Sequence, residues 1–173
     1  MPKKNLAKLD KRLAAVCGLF CASCSLFIAT HEDPERLKVI AENRKVTVEE
    51  TKCDGCRAER RNSYCKTCKL YQCAMEKGID FCGECSDYPC EDLKSFQAEY
   101  PHRIELWETQ KRIKEVGFEQ WYKEQIKHYS CPKCGTLNSA YAFTCRKCGA
   151  SPSCAYVELH EQEIMRQLSN IKL

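Results

Sequence analysis

Histidine is scarce in this sequence: four occur in 173 residues, His31, His102, His128 and His160. None stands in a Cys/His or paired-acid arrangement recognisable as a proton relay, which argues against general acid–base catalysis. Long apolar runs are missing as well. The stretch from Leu13 to Thr30, preceded by Lys3, Lys4, Lys8, Lys11 and Arg12, imitates the charged start and apolar core of a secretory signal. It is broken by Cys17, Cys21 and Cys24, lacks a small-x-small cleavage site, and is too short and interrupted for a membrane span. A lipid-modified Cys17 would leave only about four apolar residues before it, below the roughly 7 to 15 of a signal core. A cytoplasmic protein with no membrane partner is therefore expected. Also absent are the ferredoxin-type cysteine run ending in Cys-Pro and the strand–helix alternation of a barrel that could hold a substrate. The length is too small for two ordinary hydrophobic cores.

Cysteine is abundant instead, with 16 residues, 12 of them in six C-x-x-C pairs: Cys21/Cys24, Cys53/Cys56, Cys65/Cys68, Cys82/Cys85, Cys131/Cys134 and Cys145/Cys148. Such pairs suit metal ligation, because a tight turn points two thiolates at one ion, whereas disulfide frameworks space their cysteines irregularly. Metal ligation also changes the charge balance. The formal net charge of +4 counts every thiol as neutral, while each divalent four-thiolate site carries about −2. Net charge is thus no argument for a nucleic-acid partner.

The organisation reads as mainly α with small irregular metal-stapled segments and a C-terminal zinc ribbon of rubredoxin-like knuckles and short β-strands. Leu6, Leu9, Leu13 and Val16 predict an amphipathic helix over 5–16. A second helix is expected at Asp33, with Asp as N-cap, Pro34 at the first helical position, and Leu37, Ile40 and Ala41 on its buried face. Val46 to Thr51 is ambiguous between a strand and a helical turn. From Cys53 to Cys90 large apolar residues are few, so thiolate–metal bonds must substitute for burial. From Asp92 to Lys127 the pattern is helical again, divided in three by Pro101 and Gly117, and a charged helix from about Glu158 to Leu168 ends the chain. The expected division is a cysteine-rich helical metal-binding domain over 1–127, the ribbon over 128–156 and a C-terminal helix over 157–173.

The ribbon reads Cys131-Pro132-Lys133-Cys134-Gly135, then Cys145-Arg146-Lys147-Cys148-Gly149. The glycine after each second cysteine lets backbone N–H groups approach the thiolate. Four protein ligands fill the coordination sphere of zinc, so a structural site is expected; iron is the rival metal. Lys133, Arg146, Lys147, Tyr141 and Phe143 form a basic and aromatic mixture that could grip single-stranded nucleic acid, though three cations make a weak footprint and a solvated rim over a small core is favoured. Cys17, Cys21 and Cys24 form a C-x3-C-x2-C triplet, completed by His31 or a later cysteine. The remaining eight, Cys53, Cys56, Cys65, Cys68, Cys73, Cys82, Cys85 and Cys90, divide most simply into the first four and the last four, with pairings interleaved with the triplet equally allowed. Cys154 reads as a spare thiol.

Several strings together are similar to a family of bacterial and archaeal cysteine-rich proteins, domain of unknown function 3795. They are Cys17-Gly18-Leu19-Phe20-Cys21-Ala22-Ser23-Cys24, Cys53-Asp54-Gly55-Cys56, Tyr64-Cys65 with Cys68, Cys73-Ala74-Met75-Glu76-Lys77-Gly78, Cys82-Gly83-Glu84-Cys85 and Tyr88-Pro89-Cys90. The resemblance spans roughly residues 14 to 125 and implies a small metal-binding module without assigned activity, here carrying a ribbon. The expected function is that of a non-enzymatic protein binding several zinc ions and docking a protein partner. The alternative is an iron–sulfur cluster in the N-terminal domain passing electrons.

Overall fold

The computed structural model describes residues 8–98 and 100–171. Its architecture is mainly helical, and among the described residues there is no sheet, only isolated bridges between Ala14 and Phe20 and between Ser130 and Leu137. The α-helices are α1 Ser25–Glu32, α2 Pro34–Arg44, α3 Val48–Thr51, α4 Ser63–Lys66, α5 Lys69–Lys77, α6 Glu91–Ala98, α7 Leu106–Tyr129 and α8 Ala155–Asn170, with short 3-10 turns at Lys11–Leu13, Cys21–Ser23, Cys82–Glu84 and Pro101–Arg103. No described helix is long and apolar enough to cross a membrane.

Local chemistry explains several boundaries. Asp33 caps α2 by accepting the Arg36 N–H, Pro34 opens it, and Leu37 and Ala41 are buried as their spacing predicts, with Ile40 half-buried. The ambiguous segment after Val46 is a helical turn, because Thr47 and Glu50 close a reciprocal capping box.

The helix expected over 5–16 does not form in its described part, and Leu6 lies outside the described residues. Only the turn Lys11–Leu13 is helical, after which the chain is extended. Leu13, Ala14, Ala15, Val16 and Cys17 are all buried, and one face of a helix cannot bury five consecutive residues. The backbone satisfies distant donors instead: the Ala14 carbonyl accepts from Arg57, and the Val16 carbonyl accepts from the Cys82 N–H and the Gln110 side chain.

Gly117 breaks α7 as expected, with φ 79° and ψ 166°. Arg112 and Glu124, twelve residues apart, form two hydrogen bonds of 2.9 and 2.7 Å across the break. In a straight helix they would lie about 18 Å apart along the axis, so α7 is a hairpin of two antiparallel legs. Its second leg delivers Trp121 and Tyr122, both fully buried, against the edges of the Phe20 ring. Tyr156, Val157 and Ile164 of α8 join the same core, and the Tyr129 and Tyr156 rings stack 5.0 Å apart. A second core gathers Val16, Cys17, Leu70, Ala74, Leu93 and Leu106, with other cysteines at its margin.

Candidate metal centre

The end of α7 leads directly into the C-terminal cysteine loop. Ser130 bridges Leu137, which is all that forms of the expected strands, and the first knuckle closes when the Gly135 N–H donates to the Cys131 carbonyl at 2.9 Å. The second closes identically, the Gly149 N–H donating to the Cys145 carbonyl at 2.9 Å. Gly135 and Gly149 have φ of 70° and 71°, and a Cβ on either would meet nothing within 4 Å. The left-handed backbone, not crowding, therefore selects glycine at both positions.

The two turns aim four sulfurs at one point. The Sγ atoms of Cys131, Cys134, Cys145 and Cys148 all lie within 4.8 Å of one another. Cys131 and Cys148 are 3.7 Å apart, and Cys134 and Cys145 are 3.6 Å apart. A tetrahedron with metal–sulfur bonds of about 2.3 Å has sulfur–sulfur edges of about 3.8 Å. Two edges thus match that tetrahedron and the other four are at most 4.8 Å, so the donors suit a single tetrahedral, thiolate-loving ion. Cys131 and Cys145 are buried and Cys148 is exposed, so the site sits at the surface with two ligands inside.

The loop favours negative sulfur at Cys145 and Cys134, but not at Cys148, where the Ala150 N–H lowers the thiol and the neighbouring cysteines outweigh it, pushing the thiol up to about 11. Burial opposes the charge on Cys145, but the N–H groups of Cys148 and Lys147 and the side chain of Asn138 outweigh it and bring the thiol down to about 6. The side chain and backbone of Thr136 lower Cys134, whose sulfur lies 3.3 Å from the Thr136 hydroxyl.

Asn138, which the sequence reading passed over, organises this loop. It is fully buried; its amide donates to the carbonyls of Thr136 at 2.9 Å and Ser153 at 3.0 Å, lies 3.6 Å from the Cys145 sulfur, and accepts the Arg146 N–H at 3.0 Å. No spacing signal distinguishes it from the neighbouring polar residues.

Arg146 donates to the Leu137 carbonyl at 2.8 Å and to Glu32 of α1 at 2.7 Å. Tyr141 and Phe143 pack against the main core, and the Tyr141 hydroxyl lies 2.6 Å from Nδ1 of His102. Lys133 and Lys147 are exposed. Cys154 is a buried core residue against the Ser153 hydroxyl, outside the four-sulfur group.

The N-terminal cysteines are not gathered as tightly: among the described residues, no other three or more Cys, His, Asp or Glu ligand atoms come together within 4.8 Å. The first four of the later eight do not converge as a set. Cys53 hydrogen-bonds Cys65, a contact that lowers Cys53 and raises Cys65, and Asn62 donates to the Cys65 sulfur at 3.2 Å. Cys24 adds to the raised Cys65 from nearby. Cys56 instead belongs with Cys17, Cys21 and Cys68: burial pushes Cys17 and Cys21 well up, and the neighbouring Cys56 pushes both further. Cys53 also adds to the raised Cys21, so the surroundings of Cys53 and Cys56 meet there. The last four, Cys73, Cys82, Cys85 and Cys90, line one small cavity. His31 joins none of these groups; it pairs with Asp54 at 2.9 Å and lies against Phe27.

Two further residues were invisible in the sequence. Buried Gln110 donates to the Val16 carbonyl at 3.1 Å and accepts the Gly83 N–H at 2.9 Å, joining the turns that carry Cys17 and Cys82. Glu105 bonds His128 at 2.9 Å and His160 at 2.6 Å, a His–Glu–His cluster that separations of 23 and 55 residues concealed. Burial raises the Glu105 carboxyl, but the two imidazoles prevail and hold it below the usual carboxylate range. This cluster borders an open groove of about 380 Å³ between the legs of α7, whose Arg112 and Glu124 are paired with each other.

Comparison with curated proteins and with solved structures returned no match. A protein-family model, described as a protein of unknown function (DUF3795), matches residues 13–95. The match ends well before residue 125, so the α7 hairpin lies outside it, as do the C-terminal cysteines. Residues 13–95, which hold every cysteine from Cys17 to Cys90, are thus similar to the DUF3795 family of proteins of unknown function.

Proposed function

We propose that this is a non-enzymatic zinc protein in which thiolate-bound ions staple a mainly helical fold and present its surface to a protein partner. The carrying observation is the group of four sulfurs with edges of 3.6 and 3.7 Å, the dimensions of a closed tetrahedral site. Such a site has no position for substrate or an activated water, and it contributes about 10 to 16 kcal/mol of apparent binding energy to folding. Zinc suits the donor set because it needs no redox role and takes four thiolates readily. Packing of Tyr141 and Phe143 into the core and pairing of Arg146 with Glu32 support a protein partner over nucleic acid, since little of the basic and aromatic mixture remains to contact bases and phosphates.

The test is Cys131→Ser. This variant is expected to lose one zinc equivalent and to unfold the segment after Tyr129 while α1 and α2 persist, read by elemental analysis and amide exchange. Unchanged metal content would refute the assignment. Iron with acid-labile sulfide in the unmutated protein would replace the zinc reading of the N-terminal cysteines with the iron–sulfur alternative.

A further inference from the structure

A second set of thiols faces one void. A cavity of about 40 Å³ lies beneath α5, and its wall includes Cys73, Cys82, Cys85 and Cys90, closed by Leu70 and Leu93. The convergence has a local cause for each thiol. Leu70, Cys73, Ala74 and Lys77 recur at three- and four-residue steps, so α5 presents them on one face, and Leu70 and Ala74 are buried there. Cys82 and Cys85 sit at the ends of a 3-10 turn closed by the Cys85 N–H on the Cys82 carbonyl at 3.1 Å. That turn is pinned to the interior by the Cys82 N–H on the Val16 carbonyl at 2.8 Å and the Gly83 N–H on Gln110. Cys90 precedes α6, whose Leu93 is fully buried.

We propose that Cys73, Cys82, Cys85 and Cys90 are the ligands of a second, independent metal centre that holds one soft divalent ion of the zinc class. Four thiols around one void are a complete tetrahedral donor set, and soft sulfur selects such ions over magnesium or calcium. The void has room for one ion or about one or two waters. The sulfurs are not gathered within 4.8 Å as those of the C-terminal loop are, so closing on an ion takes rotation of the cysteine side chains between χ1 wells. A cation is already placed against the site: the Lys77 ammonium lies 3.0 Å from the Cys85 sulfur and 2.8 Å from Asp87. It offsets part of the charge of about −2 that four thiolates and a divalent ion carry. This inference deepens the zinc-stapled reading but does not depend on occupancy of the C-terminal site.

The experiment compares zinc content in the full chain, in Cys73→Ser, in Cys131→Ser and in the double variant. Cys73 is exposed on α5, so serine there disturbs little beyond ligation. Cys73→Ser is expected to lose one equivalent and the double variant two. Loss from Cys73→Ser with none from Cys131→Ser sustains this centre and removes the C-terminal one. Full retention in Cys73→Ser overturns the proposal, as does loss of iron together with sulfide. Alkylation of the unmutated protein gives a readout independent of folding in any variant. Cys73 is expected to resist modification until a chelator is added, whereas immediate labelling of this exposed thiol overturns the assignment.

Discussion

Replacing Asn138 by alanine removes the polar side chain that fastens the C-terminal cysteine loop to the body of the protein. The substitution strips a partner from the Ser153 carbonyl and from the Arg146 N–H, at a position with no exposure to solvent, while the Thr136 carbonyl keeps the Cys131 N–H. A buried polar group left unpaired costs about 1 to 3 kcal/mol, and one water in the vacated space recovers part of it, so the loss over the two groups is about 2 to 4 kcal/mol. That is a large fraction of the 5 to 15 kcal/mol typical of a folded domain. Because Asn138 also touches the Cys145 sulfur, part of the loss falls on the metal, where a change in a ligand's supporting shell costs about 10- to 100-fold in affinity. The assay is competition for zinc with a chromogenic chelator, paired with denaturant unfolding at fixed free zinc. Asn138→Asp sharpens it: the acceptor for Arg146 stays, but an oxygen replaces the donor and faces two carbonyls and a thiolate, so the loss should match or exceed that of alanine. A zinc affinity within about threefold of the unmutated protein, with less than about 1 kcal/mol of destabilisation, would refute the role assigned to Asn138.

Two more expectations rest on buried polar groups. Gln110→Leu orphans the Gly83 N–H and leaves the Val16 carbonyl with the Cys82 N–H alone, and should cost about 1 to 3 kcal/mol by denaturant unfolding, whereas Gln120→Ala, on the exposed face of α7, should stay within about 0.5 kcal/mol. Equal effects would remove Gln110 as the tie between the two cysteine turns. The Glu105 carboxyl titrates below its unfolded value, so its stabilisation is complete above the unfolded value of about 4.3 and is lost as pH falls through the folded one. Unfolding midpoints followed from pH 6 downward should therefore fall more steeply in the unmutated protein than in Glu105→Gln, both sharing any loss from metal release. Parallel curves would show that the His128 and His160 contacts do not hold the carboxylate.

What the sequence disclosed was whatever rests on neighbours along the chain. The cap at Asp33 and Pro34, the break at Gly117 and the two Cys-x-x-Cys-Gly turns are each determined within five residues, and each is where the spacing placed it. The expected helix over 5–16 failed because its competitors were distant: Arg57, Cys82 and Gln110 take the carbonyls of Ala14 and Val16, and burial of the whole segment overrides its periodicity. The cysteine grouping was hidden for the same reason. A C-x-x-C spacing fixes the turn, but the tertiary fold decides which thiols meet, as where Cys53 hydrogen-bonds Cys65 twelve residues away. Apart from the Asn138 contact to Thr136, Asn138, Gln110 and the Glu105 cluster act across 7 to 94 residues of separation, where no local pattern reports on them.

Zinc held by thiolates is the central claim, and the most direct test is elemental analysis with a visible spectrum of the full chain purified without oxygen. The expected result is colourless protein carrying at least two zinc equivalents. Brown protein containing iron and acid-labile sulfide, or folded protein without bound metal, would contradict it.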